Sequence, residues 1–273
     1  MGSGIAQVAA QFGHPVVLYD VAQAYAERGL EKIGETFQRS VDKQRIDRAE
    51  AEAALARITP TADLNALSAA RIAIEAAPED VDLKRDLFAQ LDRICPPESI
   101  LASNTSSLSI AALAGATRRA DRVAGMHFFN PPPLMALIEI VRGDTFGSDA
   151  TIATLADLAQ RWGKMPVIAR DTPGFIVNRV ARPFYLEALR LLGEGVADVP
   201  TIDRIVRASG FRMGPFELMD LIGIDVNYAV TQSVYNAFFQ DARYRPHPIQ
   251  QGMVESGRLG RKTGRGFYEY SDK

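Results

Sequence analysis

Six short, β-rich apolar runs are interleaved with amphipathic segments up to Asp171-Thr172-Pro173-Gly174, and no convincing strand follows until the last few residues. This change of pattern constrains the fold more than any other feature of the chain. Strands alternating with helices call for a mostly parallel sheet covered on both faces, whereas a run of helices must bury its apolar stripes helix against helix. The first run is Val16-Val17-Leu18-Tyr19-Asp20, preceded by a Gly13-His14-Pro15 turn. After it, Leu30, Ile33, Phe37 and Val41 recur at helical spacing in a predicted helix over 22–44. Further strands are predicted at 71–76, 99–103, 122–128, 137–141 and 166–169, with helices over 79–93 and near 149–162. Helices are then predicted over 175–192, 201–209, 215–240 and 247–256. The fold class read from this order is α/β, a doubly wound sheet followed by an all-α C-terminal domain, with domains at 1–171 and 172–273. There is no low-complexity segment and no internal repeat at a fixed period.

Charge and cysteine content remove several function classes. Lys plus Arg is 31 against 33 Asp plus Glu, so the field of the chain gives no reason to expect nucleic acid or an anionic membrane as partner. Cys95 is the single cysteine. It excludes an internal disulfide and a Cys-based metal cluster, and a reducing, cytoplasmic setting is expected. No metal site is expected. No apolar run approaches the ~18–20 residues of a membrane span, and the N-terminus lacks the basic region of a secretory signal.

Met1-Gly2-Ser3-Gly4-Ile5-Ala6 reads as the start of a helix running to Gln11. In a doubly wound fold that helix follows a strand and a glycine-rich turn. The chain is therefore expected to begin inside a G-x-G-x-x-G motif, with Gly2 as its last glycine. Asp20 strengthens this reading. An acid at the end of the next strand, roughly 20 residues beyond the glycines, hydrogen-bonds the adenosine ribose of a dinucleotide and favours NAD over NADP. Aspartate is also a favoured helix cap, and at this point both readings stand.

Of the three histidines, His14 and His247 sit beside proline in turn-like contexts and read as solvated loop residues. His127 differs, lying at the end of a predicted strand in Gly125-Met126-His127-Phe128-Phe129-Asn130-Pro131. Ligands gather at the carboxyl ends of strands in open α/β sheets, and imidazole can take a proton from an alcohol. A hydrogen-bonded core histidine is the competing reading. Glu139, flanked by apolar residues in the next predicted strand, is costly to bury unless paired. With only the Pro131-Pro132-Pro133 turn between the strands, His127 is its available partner, and a carboxylate on one ring nitrogen would fix the tautomer. An outward-facing Glu139 is the alternative.

Five motifs in order then resemble the L-3-hydroxyacyl-CoA dehydrogenase family. They are Ser103-Asn104-Thr105-Ser106; His127-Phe128-Phe129-Asn130-Pro131 with Glu139; Asp171-Thr172-Pro173-Gly174-Phe175-Ile176-Val177-Asn178-Arg179; Met213-Gly214-Pro215-Phe216-Glu217-Leu218; and Leu259-Gly260-Arg261-Lys262-Thr263-Gly264-Arg265-Gly266-Phe267-Tyr268. The resemblance spans essentially the whole chain. It implies a Rossmann-like NAD-binding domain over 1–171 and a helical domain over 172–273 that closes the site and forms a homodimer. It implies NAD-dependent oxidation of a 3-hydroxyacyl-CoA to the 3-ketoacyl-CoA, as in fatty-acid β-oxidation. The longer set of phrases, including that from Asn178 to Tyr185, is most similar to the branch acting on 3-hydroxyadipyl-CoA in phenylacetate breakdown. A short-chain 3-hydroxybutyryl-CoA enzyme is one alternative, and a non-catalytic relative of the lens lambda-crystallin kind is another.

Carried over by position, His127 resembles the family's catalytic base and Glu139 its partner. Ser106 matches the serine that hydrogen-bonds the reacting oxygen, and Asn178 the asparagine that holds substrate near the nicotinamide. The implied cofactor-binding set is Gly2, Asp20, Glu79, Lys84 and Asn104, and Lys43 matches a lysine at the CoA end. Family members usually begin with a strand and the complete glycine turn, both missing here, which leaves cofactor binding as the expectation most exposed to test.

Gly260-Arg261-Lys262-Thr263 fails as a phosphate-binding loop, because Arg261 separates glycine from lysine and no strand precedes it; it reads as a glycine-shaped turn. Ile222, Val226, Val230, Val234 and Phe238 form an apolar stripe at helical spacing, which reads as core or as a dimer seam. On the helix predicted over 175–192, Asn178, Arg182 and Tyr185 share one face, with Ile176, Val180, Phe184 and Ala188 opposite. That spacing makes Arg182 a candidate substrate-binding residue for a distal carboxylate. A CoA phosphate and an acid at the domain interface are its competing partners.

Overall fold

The apolar runs become strands of four to six residues in the structure, a computed structural model that describes residues 1–143 and 146–270. The chain divides into two compact units, Met1–Asp171 and Thr172–Lys273; of these ranges, residues 144–145 and 271–273 lie outside the described residues. In the first unit the strands are β1 (Val16–Tyr19), β2 (Ile58–Thr61), β3 (Ile72–Glu75), β4 (Ile100–Ser103), β5 (Val123–Phe128), β6 (Leu137–Arg142) and β7 (Met165–Arg170). The helices are α1 (Gly2–Gln11), α2 (Gln23–Asp42), α3 (Arg48–Leu55), α4 (Val81–Ile94), α5 (Ile110–Ala114) and α6 (Asp149–Arg161).

The α/β class holds, and two details of its topology go beyond what periodicity gives. First, β1 pairs only with β2, while β3-β4-β5-β6-β7 form a separate five-stranded sheet. Helix α1 bridges the two packing regions: Ile5, Val8 and Ala9 pack with the five-stranded sheet, and Ala6 and Ala10 pack with Ile33, Phe37 and Ile58. Second, β6 runs antiparallel to β5. The short connection over 129–136 is too brief for the crossover that parallel neighbours need.

Three elements of the first unit escape the sequence pattern, the short helix α5 among them. Helix α3 buries only Ala51 and Ala54, too small a stripe to stand out. Strand β2 contains Pro60, which argues against a strand; it is tolerated because β2 pairs on one side only, with Leu18 opposite Pro60. Asp80, Ser109 and Ser148 cap α4, α5 and α6 through their side chains. The N-cap of α2 is Ala22, so the cap reading of Asp20 is not borne out.

The second unit holds α7 (Val177–Gly193), α8 (Val199–Ala208), α9 (Pro215–Ile222), α10 (Ile224–Ala237) and α11 (Pro248–Glu255). Leu186, Leu189, Phe216, Met219 and Ile224 make its core. The predicted 215–240 helix is broken at Gly223, whose φ of 103° belongs to the left-handed region that favours glycine. The break divides the apolar stripe, leaving Ile222 and Val226 exposed while Val234 is fully buried. Two buried aspartates hold the terminal turn. Asp220 accepts from the N–H groups of Phe267 and Tyr268 and from the Tyr270 hydroxyl. Asp203 accepts from the N–H groups of Phe216 and Glu217 and from the Tyr268 hydroxyl. A Cβ at Gly266 would overlap the Asp220 carboxylate, which explains the glycine. His247, read as a solvated loop residue, instead caps α11 by accepting from the Ile249 N–H.

Candidate active site

Strand β5 is buried along its whole length and β6 over its centre, because both lie inside the five-stranded sheet. Their register sets His127 directly opposite Glu139, and directly opposed side chains share a face. The His127 Nδ1 lies 2.7 Å from Glu139 Oε2. Glu139 has no exposed surface and His127 only 5%. A carboxylate at Nδ1 assigns the proton to Nδ1 and the basic lone pair to Nε2. The Phe129 ring packs on the imidazole at 4.6 Å between centroids. A Cβ at Gly125 would meet Val141 at 2.7 Å, so glycine allows the close approach of β5 to β6 two residues before the histidine.

Strand β4 runs parallel to β5, with Ser103 opposite Gly125, so the segment following Ser103 emerges at the same carboxyl edge. The Asn104 side-chain oxygen accepts from the Phe128 N–H at 2.8 Å, tying the two strand ends together. Asn104 thereby uses one lone pair of its side-chain oxygen on the protein. Glu79 gathers the next three residues. One carboxylate oxygen accepts from the Thr105 hydroxyl at 2.6 Å, from the Ser106 N–H at 2.9 Å and its hydroxyl at 3.2 Å, and from the Ser107 N–H at 3.2 Å. Burial pushes the Glu79 carboxyl up, but the Thr105 hydroxyl, the Lys84 ammonium and the Ser106 N–H outweigh it and hold it below its ordinary range. Lys84, the next cofactor candidate, lies beside Glu79. It is 1% exposed and bonded to Glu75, Glu79 and the Ala77 carbonyl, because a buried ammonium is stable only when paired.

The remaining cofactor candidates fit a dinucleotide. The first turn of α1 carries no acidic residue and no side-chain cap, so its N–H groups are open to an anion. A Cβ built on Gly2 would lie 3.7 Å from Ala76, at the carboxyl end of β3. Asp20 is exposed at the end of β1, where one carboxylate oxygen accepts from the Val21 N–H and the other is left for hydroxyl donors. A cleft of about 180 Å³ lies between α1, α2 and the prolines after Asn130, lined by Ser3, Gln7, Lys32 and Thr36 among others. Gln7, 4% exposed, was missed by sequence reasoning because it sits within a helical alanine-rich run. Lys43 is exposed at the C-terminal end of α2.

In the helical unit, Asn178 is the second residue of α7 and is half-buried. Arg182 lies in the same helix, one turn on. It is 3% exposed; Nε donates to the Asn178 carbonyl, and one terminal nitrogen donates to the Asn227 carbonyl and the Thr231 hydroxyl. Burial pulls its pKa down to about 10. Arg182 and Tyr185 pack inward, whereas Val180 on the opposite face is exposed. This arginine joins α7 to α10 and is not presented to a substrate carboxylate. Among the described residues, no cluster suits a metal ion and no helix is long and apolar enough to cross a membrane.

Family models describe the two units in turn. The model of the 3-hydroxyacyl-CoA dehydrogenase NAD binding domain matches residues 1–172, and that of the C-terminal domain matches 174–270. The chain is 48% identical over 271 residues to the 3-hydroxyadipyl-CoA dehydrogenase of Escherichia coli K12, covering 99% of this chain but 57% of that protein. A crystal structure of E. coli 3-hydroxybutyryl-CoA dehydrogenase superposes with a TM-score of 0.96 at 47% identity, over 100% of this chain and 58% of that one. The (S)-3-hydroxybutyryl-CoA dehydrogenase of Ralstonia eutropha gives 0.94 at 43% identity, over 100% and 96% of the two chains.

Proposed function

The chain belongs to the 3-hydroxyacyl-CoA dehydrogenase family, and from that premise we propose that it oxidises an L-3-hydroxyacyl-CoA to the 3-ketoacyl-CoA with NAD as electron acceptor. The observation that carries this reading is the buried His127–Glu139 pair, 2.7 Å apart at the carboxyl edge of the sheet. With Nδ1 held by the carboxylate, His127 Nε2 takes the substrate hydroxyl proton, and Glu139 stabilises the imidazolium that forms. In the reverse direction Nε2 returns the proton. Bound NAD supplies the two-electron acceptor for the hydrogen leaving C3. Ser106 holds the reacting oxygen, and this alignment supplies much of the rate; Asn178, on the helical unit, is the candidate contact to the acyl group. The α1 N-terminus, including Gly2, receives the pyrophosphate, Asp20 the ribose hydroxyls, and the Asn104 amide a further cofactor contact. The amide- and hydroxyl-lined cleft with Gln7 and Thr36 suits the amide-bearing arm of a CoA ester, with Lys43 toward its far end.

The finer reading takes 3-hydroxyadipyl-CoA, in phenylacetate breakdown, as the substrate, on the strength of the relative of that name. It also takes a cytoplasmic homodimer as the working form. Exposed Leu221, Ile222 and Val226 offer an apolar surface on the helical unit for self-association. The test follows NADH formation from 3-hydroxyadipyl-CoA and 3-hydroxybutyryl-CoA, with sedimentation for the oligomer. His127→Gln is expected to lose about 10²–10⁴-fold in kcat. A variant keeping over half the wild-type rate removes His127 from the mechanism.

A further inference from the structure

The reversal of β6 brings a further strand end to the edge that carries the histidine. Because β6 runs antiparallel to β5, and β7 parallel to β6, β7 begins where β5 delivers His127. Lys164 is the residue before β7, and its side chain reaches the turn that joins β5 to β6. The Nζ lies 2.6 Å from the Pro132 carbonyl oxygen, 2.9 Å from that of Met135 and 3.5 Å from that of Pro133. Pro131-Pro132-Pro133 carries three carbonyls and no N–H group, so the turn is short of donors; Leu134 and Met135 both donate to the Pro131 carbonyl. An ammonium, with three donors and no acceptor, meets that deficit. Burial pulls the Lys164 ammonium below the ordinary lysine range, a cost that the carbonyl dipoles offset. The same turn also meets α1: a Cβ built on Gly4 would lie 2.8 Å from the nearest Pro132 side-chain carbon. Asn130 and the three prolines form one wall of the cleft that holds Gln7 and Thr36. Lys164 acts from behind that wall, outside the lining of the cleft.

We propose that Lys164 is a positioning residue for the CoA ester: its ammonium gathers the carbonyls of Pro132, Pro133 and Met135, and so sets the Asn130–Pro133 wall against which the arm of the ester binds. The proposal rests on the reaction and the use of this cleft read above. Without the ammonium, the Pro132 and Met135 carbonyls must find water instead. Leu134 and Met135 are already 71% and 40% exposed, so the turn is free to swing outward and take the wall with it. His127 stays paired with Glu139 inside the sheet. The expected signature is weaker ester binding with the chemical step largely retained.

Two measurements on the full chain decide it, using Lys164→Met. Amide hydrogen exchange at Leu134 and Met135 is expected to speed up about tenfold or more, with Ile138 and Ile140 in β6 unchanged. In turnover, KM for 3-hydroxyadipyl-CoA and for 3-hydroxybutyryl-CoA is expected to rise alike, about tenfold, because the arm is common to both, while kcat stays within about threefold. The Kd of acetoacetyl-CoA, the oxidised product of the shorter ester, should rise by about the same tenfold factor in calorimetry. Lys164→Arg keeps a charged group with several donors and should bring exchange and KM back to within about threefold of wild type. Unchanged exchange at Leu134 and Met135 overturns the proposal. So does faster exchange with KM and Kd unmoved, a loss of kcat at constant KM, or weaker NAD binding with acetoacetyl-CoA affinity intact. If the wild type turns over neither ester, the reaction reading fails, and the exchange measurement still decides whether Lys164 sets the turn. Should Lys164→Met not fold, Lys164→Gln removes the charge and shortens the reach while keeping a polar end. The same readouts then apply, with the same outcomes for and against.

Discussion

Replacing Glu139 with glutamine perturbs the candidate site with little change of shape. The side chain is fully enclosed, with Ile138 and Ile140 equally buried on either side along β6. What goes is the negative charge 2.7 Å from His127 Nδ1. If the glutamine NH₂ faces the ring, Nδ1 must accept, and the ring proton moves to Nε2, where it blocks uptake of the substrate proton. If the amide oxygen faces the ring, the tautomer survives but the imidazolium formed in the reaction loses its counter-charge. For charge centres about 4 Å apart in an effective dielectric of ~20, that loss is about 4 kcal/mol, or roughly 10³-fold in rate. Either route predicts a fall in kcat of about 10²–10⁴-fold with little change in KM. The assay is steady-state NADH formation, with near-UV circular dichroism to show that the fold persists. In a His127→Gln background the same change should cost almost nothing more, because the pair acts as a unit. A Glu139→Gln enzyme with more than half the wild-type kcat, or losses that add in the double variant, would refute the reasoning.

Asp220→Ala strips the partner from two backbone N–H groups and the Tyr270 hydroxyl. It should lower the urea-unfolding free energy of the helical unit by about 3 kcal/mol or more; a change under about 0.5 kcal/mol would show that the clasp is dispensable. Asp92 is pushed up by burial but held below the ordinary carboxylate range by the Arg119 and Arg118 donors. Its stabilisation is therefore fully present above the unfolded value of about 4 and is lost as pH falls through the lowered one. Asp92→Asn should then destabilise clearly at neutral pH and little in strong acid, as read by denaturant titration at several pH values. Burial pushes the Asp203 carboxyl up against its three donors, so the sign reverses and its titration favours folding as pH falls. Arg182→Met should leave the ratio of kcat/KM for 3-hydroxyadipyl-CoA to that for 3-hydroxyhexanoyl-CoA unchanged. Its stability should shift within about 1 kcal/mol, since the Asn227 carbonyl still accepts from Thr231; a collapse of selectivity would return Arg182 to the substrate.

Periodicity alone located the α/β first half and the helical second half, because strand and helix periods are local properties of side-chain order. The same local order put His127 and Glu139 on neighbouring strands, and a short proline turn between two apolar runs leaves antiparallel pairing as the simplest geometry. Other features depend on what lies across from a residue in space. Proline tolerated in β2 needed an edge, and the break at Gly223 needed a positive φ that no periodicity records. The family resemblance marked Lys84, and helical spacing from Asn178 marked Arg182, as residues for ligands. Tertiary packing turned both inward, onto Glu75 and Glu79 in one case and onto the α10 backbone in the other. A sequence shows which side chains carry charge, but where a charge points is decided by which partners can replace the water it loses on burial, and those partners meet only in the folded chain.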